Sequence, residues 1–523
     1  MSAPVTVNDA LKGRRTTWFA NKGIIKLNAI LVLSIVSGYA NGYDGSMMNG
    51  LQSLDEWKAF FNYPDASTLA LLNAIQHVGQ LIALPFCAYV CDRFGRRTTL
   101  VWSAVVLLLA VGLQAGAQNA GMFIAARGLI GFGIGFNFSA APLLIMELAF
   151  PTQKSALVGF FNAQWNSGAI VAAWTTFGTF RIGNTWAWRI PSLLQALSSV
   201  VQILLCFWVV ESPRWLISKD RDDEARAILT KYHANGDADD PLVKIEMEEI
   251  REALRIDREI SMNTSFLSFL RTKGNRKRLV LILTVGFFSQ WSGNGLISYY
   301  LTLILDSIGY KSEETQTLIN AVLAIWSLIS TGFVAFFMVD RFPRRTLFLV
   351  STLGMLISYI VWTGLEATYE KQSANGSTPN PALAKGVLAM IVLYNTSFNL
   401  GWTPLQVVYV VEILPFNLRA RGLVLYSFAV AIALIFNQYV NPIALTNIKW
   451  AYYIVYDVWL FIELVVVYFL FIETRGSSLE EIALIIDGPE LRDKMIDNAA
   501  LSAVVAEARN TKNNKEDEKI ETA

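Results

Sequence analysis

Long apolar runs alternate along this chain with short polar joints rich in Arg, and that alternation predicts the architecture. A helix needs about 20 mostly apolar residues to cross a bilayer. Twelve runs reach that length: 24–46, 68–90, 98–118, 121–145, 155–177, 189–210, 279–304, 317–339, 345–365, 385–411, 422–443 and 450–472. The expected fold is all-α and integral to the membrane, with twelve transmembrane helices in two six-helix halves. The division expected is a tail (1–23), a first half (24–210), a helical linker (211–278), a second half (279–472) and a second tail (473–523). Within the linker, Asp220 to Lys231 and Leu242 to Ile260 carry Ala, Leu and Ile at helical spacing among charges, the pattern of amphipathic surface helices. The connection 47–67, with Trp57, Phe60 and Phe61, reads as an ordered cover, and 366–384 as a polar loop.

An even number of spans puts both termini on one side, and Lys and Arg say which. Arg93, Arg96 and Arg97, then Arg341 to Arg345, Arg419 and Arg421, and the basic run Arg271 to Arg278 all fall on the side of the termini. That side is therefore expected to be cytoplasmic, in the plasma membrane. The opposite loops are poorer in basic residues, although Arg181, Arg189 and Lys449 weaken the contrast. Asn375-Gly376-Ser377 is a glycosylation sequon on the outer side. Past Glu473 the tail reads as amphipathic from Leu479 to Ile486, and as disordered from Asn510 onward.

Composition narrows the function. Hydrophobic residues make up 54% and charged ones 16%, against about 25% charged in soluble domains, so much of this surface faces something other than water. A formal net charge of +1 leaves no footprint for nucleic acid. Three cysteines inside or beside apolar runs form neither a disulfide framework nor a zinc pattern, and two histidines are too few for a His-based metal or triad site. No phosphate-binding loop occurs. Neither an enzyme nor a bound cofactor or metal is expected.

An acid inside an apolar run is costly unless it lines a cavity or meets a cation. Asp44 in the first run is such an acid, and Ser37, Asn41 and Asp44 share one helical face. Its natural partner is Arg127. The first span runs outward and the fourth returns, which brings the two to similar depth. Against this stands an acid sitting among headgroups at a helix end.

Charges also reveal a duplication. Asp92-Arg93-Phe94-Gly95-Arg96-Arg97 is echoed by Asp340-Arg341-Phe342-Pro343-Arg344-Arg345, Glu147 by Glu412, and Glu211-Ser212-Pro213-Arg214 by Glu473-Thr474-Arg475. Together with Arg419 these form charged clusters at matching corners of two six-span units. They are expected to latch the halves together while the outer side is open and to separate when it closes.

With Arg127 before Gly131-Phe132-Gly133, Pro142 with Glu147, Gln290-Trp291-Ser292-Gly293-Asn294 and Tyr299-Tyr300, the chain resembles a sugar porter of the major facilitator superfamily. It is most similar to the fungal lactose-permease and hexose-transporter-like branch, from about Ile24 to Ile486. It departs from the family pattern at Pro343, at Val210 and Ile472 before the two glutamates, and at Lys154-Ser155. Further departures are Ser289-Gln290, Gly295, and Val407 where an aromatic is common. The resemblance implies proton coupling through Asp44 and Arg127. It also implies sugar contacts in spans 5, 7, 10 and 11. Residues there of the type a neutral, polyhydroxylated solute requires are Asn162, Gln164, Gln290, Asn294, Tyr299, Trp402, Gln406 and Asn437. Any one of them could instead be a hydrogen bond between helices. His77, with Gln76 and Gln80, is either a packed histidine or a pocket or proton-relay residue. The function expected is sugar:proton symport by a functional monomer in the lipid bilayer. The alternatives are facilitated diffusion or export of a sugar-like metabolite, and a non-transporting sugar sensor.

Overall fold

The computed structural model describes residues 17–475 except Cys206, Thr264 and Asp340, together with Leu11, Arg14, Ile482, Ile485 and Ile486. Eleven stretches among the described residues are long and apolar enough to cross a membrane. They are Lys22–Leu51 (span 1), Ala66–Phe94 (span 2), Arg96–Ala115 (span 3), Ala120–Leu148 (span 4), Trp186–Leu205 (span 6) and Lys273–Ser307 (span 7). The rest are Glu313–Val334 (span 8), Arg344–Ala374 (span 9), Pro381–Ile413 (span 10), Arg421–Ile448 (span 11) and Ala451–Leu470 (span 12). Span 5 is Lys154–Thr179, a helix of 26 residues. It is long enough to cross but less apolar, because Asn162, Gln164 and Asn166 fall in its middle. The all-α, twelve-helix fold stands.

Short polar side chains start several of these helices by accepting a free backbone N–H of the first turn. Asn21, Asp65, Asn119, Thr272 and Asn380 cap spans 1, 2, 4, 7 and 10 in this way. One boundary differs from the expected pattern. The polar stretch after 365 continues the helix of span 9 to Ala374, so the connection to span 10 is only 375–380. Charged and polar residues there extend a helix into water instead of making a loop. Asn375 follows its last turn and is exposed.

The duplication expected from the charges is present in the packing. Spans 1 and 5, 2 and 4, 3 and 4, and 3 and 6 pack together; so do 7 and 11, 8 and 10, 9 and 10, and 9 and 12. Gly42 allows the first of these contacts, since a Cβ there would overlap the Trp165 carbonyl across the interface. Between halves, span 2 lies on span 11, span 5 on span 8, and the far end of span 1 on span 7. Large apolar side chains such as Trp102, Leu109, Phe333 and Phe461 remain exposed on the outside of the bundle, where acyl chains would cover them.

The linker helices Pro213–Ser218, Asp222–Tyr232 and Pro241–Asn263 lie against one end of the bundle, here the linker face. They pack on spans 1 and 4 of the first half. At the opposite face, Asp55–Phe60 forms a short helix whose Trp57, with Phe61, packs among Phe123 and Trp188. The connection 47–67 is thus the ordered cover that its aromatics suggest. The stretches Leu479–Ile486, for the most part, and 510–523 fall outside the described residues.

A buried ion pair and a broken helix as candidate functional site

Asp44 and Arg127 meet in a two-pronged ion pair, Nη1 to Oδ1 at 3.0 Å and Nη2 to Oδ2 at 3.1 Å. Both residues are buried, at 0% and 1% exposure, so the pair lies inside the first half and not among headgroups. Such a pair persists in low dielectric only when its remaining donors and acceptors are also matched. They are here. Gln195 of span 6 donates to Asp44 Oδ1 at 2.7 Å, and Arg127 also donates to the Leu72 carbonyl and to Gln76 Oε1. One cluster therefore ties spans 1, 2, 4 and 6. Sequence reasoning found the two charges but not Gln195, whose amide looks like any other in an apolar run, and it grouped Gln76 with His77 and not with Arg127.

Span 1 itself is two helices, Lys22–Val36 and Tyr39–Leu51. Ser37 and Gly38 between them keep helical backbone angles. Just beyond Asp44, its far end is bound to span 7. Asn49 donates to the Ile297 carbonyl (3.3 Å), Gln52 to the Tyr299 carbonyl (3.0 Å), and Ser53 pairs with Thr302 (2.9 Å). Two more ties on the same face, Asp55 N–H to Glu313 and Arg181 to Glu314, also cross between halves. Deeper in, the Gln438 amide of span 11 donates to His77 Nε2 of span 2 at 2.9 Å. The halves are closed against each other on the face opposite the linker.

Span 7 is broken outright. Gly293 has φ +95°, where a side chain would be strained, and it separates Lys273–Trp291 from Asn294–Ser307. A break frees carbonyls, and three of them are answered from neighbouring spans. Asn437 donates to Gln290 O (2.7 Å), Tyr394 to Ser292 O (2.8 Å) and Tyr359 to Gly293 O (3.0 Å). Gln290 and Asn294 flank the break and are half-buried. Asn294 donates to the Ser289 carbonyl, while its Oδ1 is buried without a protein partner.

The other sequence-selected polar residues divide in two. Asn162 is exposed and Gln164 and Tyr299 are half-buried, with Tyr299 edge-on to His77. Gln406 is half-buried and accepts from Tyr426. By contrast, Trp402 is fully buried, its indole N–H on Thr352 and its ring between Phe288 and Phe348. Asn437 is likewise committed, receiving Asn441 and Tyr456 on its Oδ1 as well as holding the break. These two side chains hold the fold, which their position in polar stripes does not reveal.

At the linker face the ion pairs described at the charged corners join residues of the same half. Arg96 pairs with Glu147 at 3.0 Å and more loosely with Asp92. Glu211 accepts the backbone N–H of Arg96, Arg97 and Ser212, which makes it an anionic cap for span 3. Burial pushes its carboxyl up, and those backbone donors pull it back down. Glu473 caps span 9 in the same manner, accepting from Arg344, Arg345, Thr474 and Arg475, and Arg344 also pairs with Glu412. Arg475 donates to the Arg341 carbonyl, and Arg419, at the start of the helix that continues into span 11, is half-buried. Arg214 lies in the first linker helix, while Asp340 is outside the described residues.

The family model described as "Sugar (and other) transporter" matches residues 30–485. The chain belongs to that family. It is a multi-pass membrane transporter and not an enzyme. A high-affinity glucose transporter of Kluyveromyces lactis is 28% identical over 475 residues, which is 88% of this chain and 85% of that protein. The MFS-type transporter criB of Aspergillus cristatus is 28% identical over 456 residues, 87% of this chain and 92% of the relative. Among solved structures, the inward open conformation of the xylose transporter XylE from E. coli superimposes with a TM-score of 0.72 at 22% identity. That match covers 88% of this chain and 99% of the other, and it shows that the fold is that of the major facilitator superfamily.

Proposed function

We propose that this protein carries a neutral sugar across the plasma membrane by alternating access, coupled to protons through Asp44 and Arg127. The observation that carries the reading is the fully buried, two-pronged Asp44–Arg127 pair, with Asn49, Gln52 and Ser53, which close one face, following on the same segment of chain. Neutralising Asp44 removes the charge that holds Arg127, while Leu72 O and Gln76 keep the guanidinium in place. Span 1 is then free to shift, and Asn49, Gln52 and Ser53 shift with it. A proton thereby biases the balance between two states without touching the sugar. The positive-inside pattern puts the linker face and both termini in the cytoplasm. The described arrangement is then inward-facing, and the corner ion pairs described, Arg96–Glu147 and Arg344–Glu412, each lie within one half.

The sugar reading rests on the family, on the glucose and hexose transporters among the relatives, and on the break in span 7. A buried acceptor without a partner, such as Asn294 Oδ1, is what a sugar hydroxyl would satisfy. Gln290, Asn294, Gln164, Asn162, Tyr299 and Gln406 form the proposed contact set, with Trp402 and Asn437 positioning it. We take the protein to act as a monomer, with Asn375 as its glycan site. Uptake of a panel of labelled sugars in transport-deficient cells, with and without a proton gradient, tests this. Concentrative uptake of at least one sugar that Asp44→Asn abolishes is the expected result, and an unchanged pH dependence in that variant sinks the coupling.

One observation favours a second reading. Two Aspergillus relatives at 28% identity are named only as MFS-type transporters, criB and oryC. Export or facilitated diffusion of a sugar-like metabolite would use the same path. It would show as counterflow that a proton gradient leaves unchanged.

A further inference from the structure

The second half contains a buried acid with no cation beside it among the described residues. Glu463 of span 12 is 0% exposed, and among the described residues its one hydrogen-bond neighbour is the Ser292 hydroxyl, 3.4 Å from Oε1. Its Oε2 has no partner at all. The titratable groups facing this place from the packed spans are Tyr394 of span 10 and Tyr359 of span 9. Both hydroxyls already donate to backbone carbonyls of the span 7 break. An ionised carboxylate at mid-membrane with no cation and one weak donor is far costlier than a neutral carboxylic acid.

Hydrogen-bond counting points the same way. Ser292 has one hydroxyl hydrogen, and that hydroxyl also lies in short contact with the Phe288 carbonyl one turn earlier. A carbonyl can only accept, so the hydrogen is committed there. Ser292 Oγ then has only lone pairs to offer Glu463. The contact is therefore a hydrogen bond only when Glu463 supplies the hydrogen.

We propose that Glu463 is a second proton-binding site, holding its proton in the arrangement described, and that the protonated acid donates to Ser292 and so positions the break of span 7. The step is simple uptake of a proton by a carboxylate, from water admitted to the bundle. Ser292 immediately precedes Gly293, between Gln290 and Asn294, so loss of that hydrogen bond would loosen the segment that offers both amides. The positioning role rests on the sugar reading of that segment. The proton itself does not.

Infrared difference spectra of the purified full-length protein in lipid, wild type minus Glu463→Gln at neutral pH, test the proton directly. A carboxylic-acid carbonyl band should be present in wild type and missing in the variant. Loss of ionised carboxylate bands instead would overturn the assignment. Glucose counterflow in vesicles tests the positioning. Glu463→Gln, which keeps a donor, should retain it, whereas Glu463→Ala should weaken apparent affinity about tenfold, the size of one lost buried hydrogen bond. A Glu463→Ala variant with unchanged affinity would refute positioning. Absence of counterflow with any sugar in wild type would count against the sugar reading and leave the infrared result standing.

Discussion

The two halves share their packing yet treat polarity at their centres in opposite ways. In the first half, span 1 stays helical through Ser37 and Gly38 and carries a compensated charge, Asp44 on Arg127 with Gln195 behind it. In the second half, span 7 breaks at Gly293, and Glu463, the acid beside Ser292, has no cation next to it among the described residues. The spacing that relates Asp92 to Asp340 sets Asp44 opposite Ser292, so a charge in one half is replaced by a hydroxyl and a backbone break in the other. The first half thus answers its polar centre with a matched charge, the second with donors from neighbouring spans aimed at a broken backbone. The two halves share a scaffold and differ at a few positions in how they satisfy buried polar groups.

The largest expected effect comes from splitting the ion pair. Removing one partner of a buried pair costs about 3–5 kcal/mol because the other charge is left uncompensated. Arg127→Ala should therefore lower the melting temperature in detergent sharply and deplete the protein from the membrane. Asp44→Asn in the Arg127→Ala background should recover much of that loss. If the double variant is no more stable than Arg127→Ala alone, the pair does not act as a unit and the contrast between halves fails.

Next in size is the break. Gly293→Ala places a side chain at φ +95° and drives its Cβ into the Tyr359 ring, a backbone strain of about 1–3 kcal/mol. Transport should fall with a raised KM, since Gln290 and Asn294 lie on either side. Gly38→Ala should also be harmful, but for a different reason. There the backbone is helical and the obstacle is the Phe161 carbonyl of span 5. A lowered melting temperature with a normal KM in that variant would sharpen the distinction between a packing contact and a recognition element.

Much of this was legible before any coordinates. Length and apolarity located the spans, and the duplicated charges located both corners, because membrane burial and the positive-inside bias act on composition directly. Asp44 and Arg127 stood out as the wrong kind of residue in an apolar run. Glu463 is equally out of place in span 12 and could have been found by the same rule. What the sequence hides is the use made of neutral amides and aromatics. Trp402 and Asn437 look like sugar ligands at helical spacing, yet one fills an aromatic core and the other mends a helix break. Only the neighbouring backbone decides between those uses. Span 9 shows the converse case, since a polar composition does not by itself end a helix.

Smaller effects test how alike the corners are. Glu211 and Glu473 each receive backbone N–H groups at the start of a helix, and loss of such a cap costs about 0.5–2 kcal/mol. Glu211→Gln and Glu473→Gln should lower the melting temperature by similar amounts. A drop in only one of them would show that the repeat is kept in sequence but not in energetics.

The smallest effect concerns a contact outside the membrane that belongs to the first half. Arg14 grips Asp240 with both nitrogens at 2.6 Å, fixing the N-terminal tail to the linker that covers spans 1 and 4. The hydrogen bond from Arg14 holds the Asp240 carboxyl below its usual value. The folded form therefore binds its proton less readily than the unfolded one. The stabilisation is present above the ordinary aspartate range near pH 4 and is lost as pH falls through the lower, folded value. Partial exposure keeps it to about 1 kcal/mol or less. Limited proteolysis of the tail at neutral pH should be faster in Asp240→Asn than in wild type, and the difference should vanish on acidification. Equal cleavage at neutral pH would mean that the tail is held by its apolar contacts alone, and that the linker covers the first half without being fastened to it by charge.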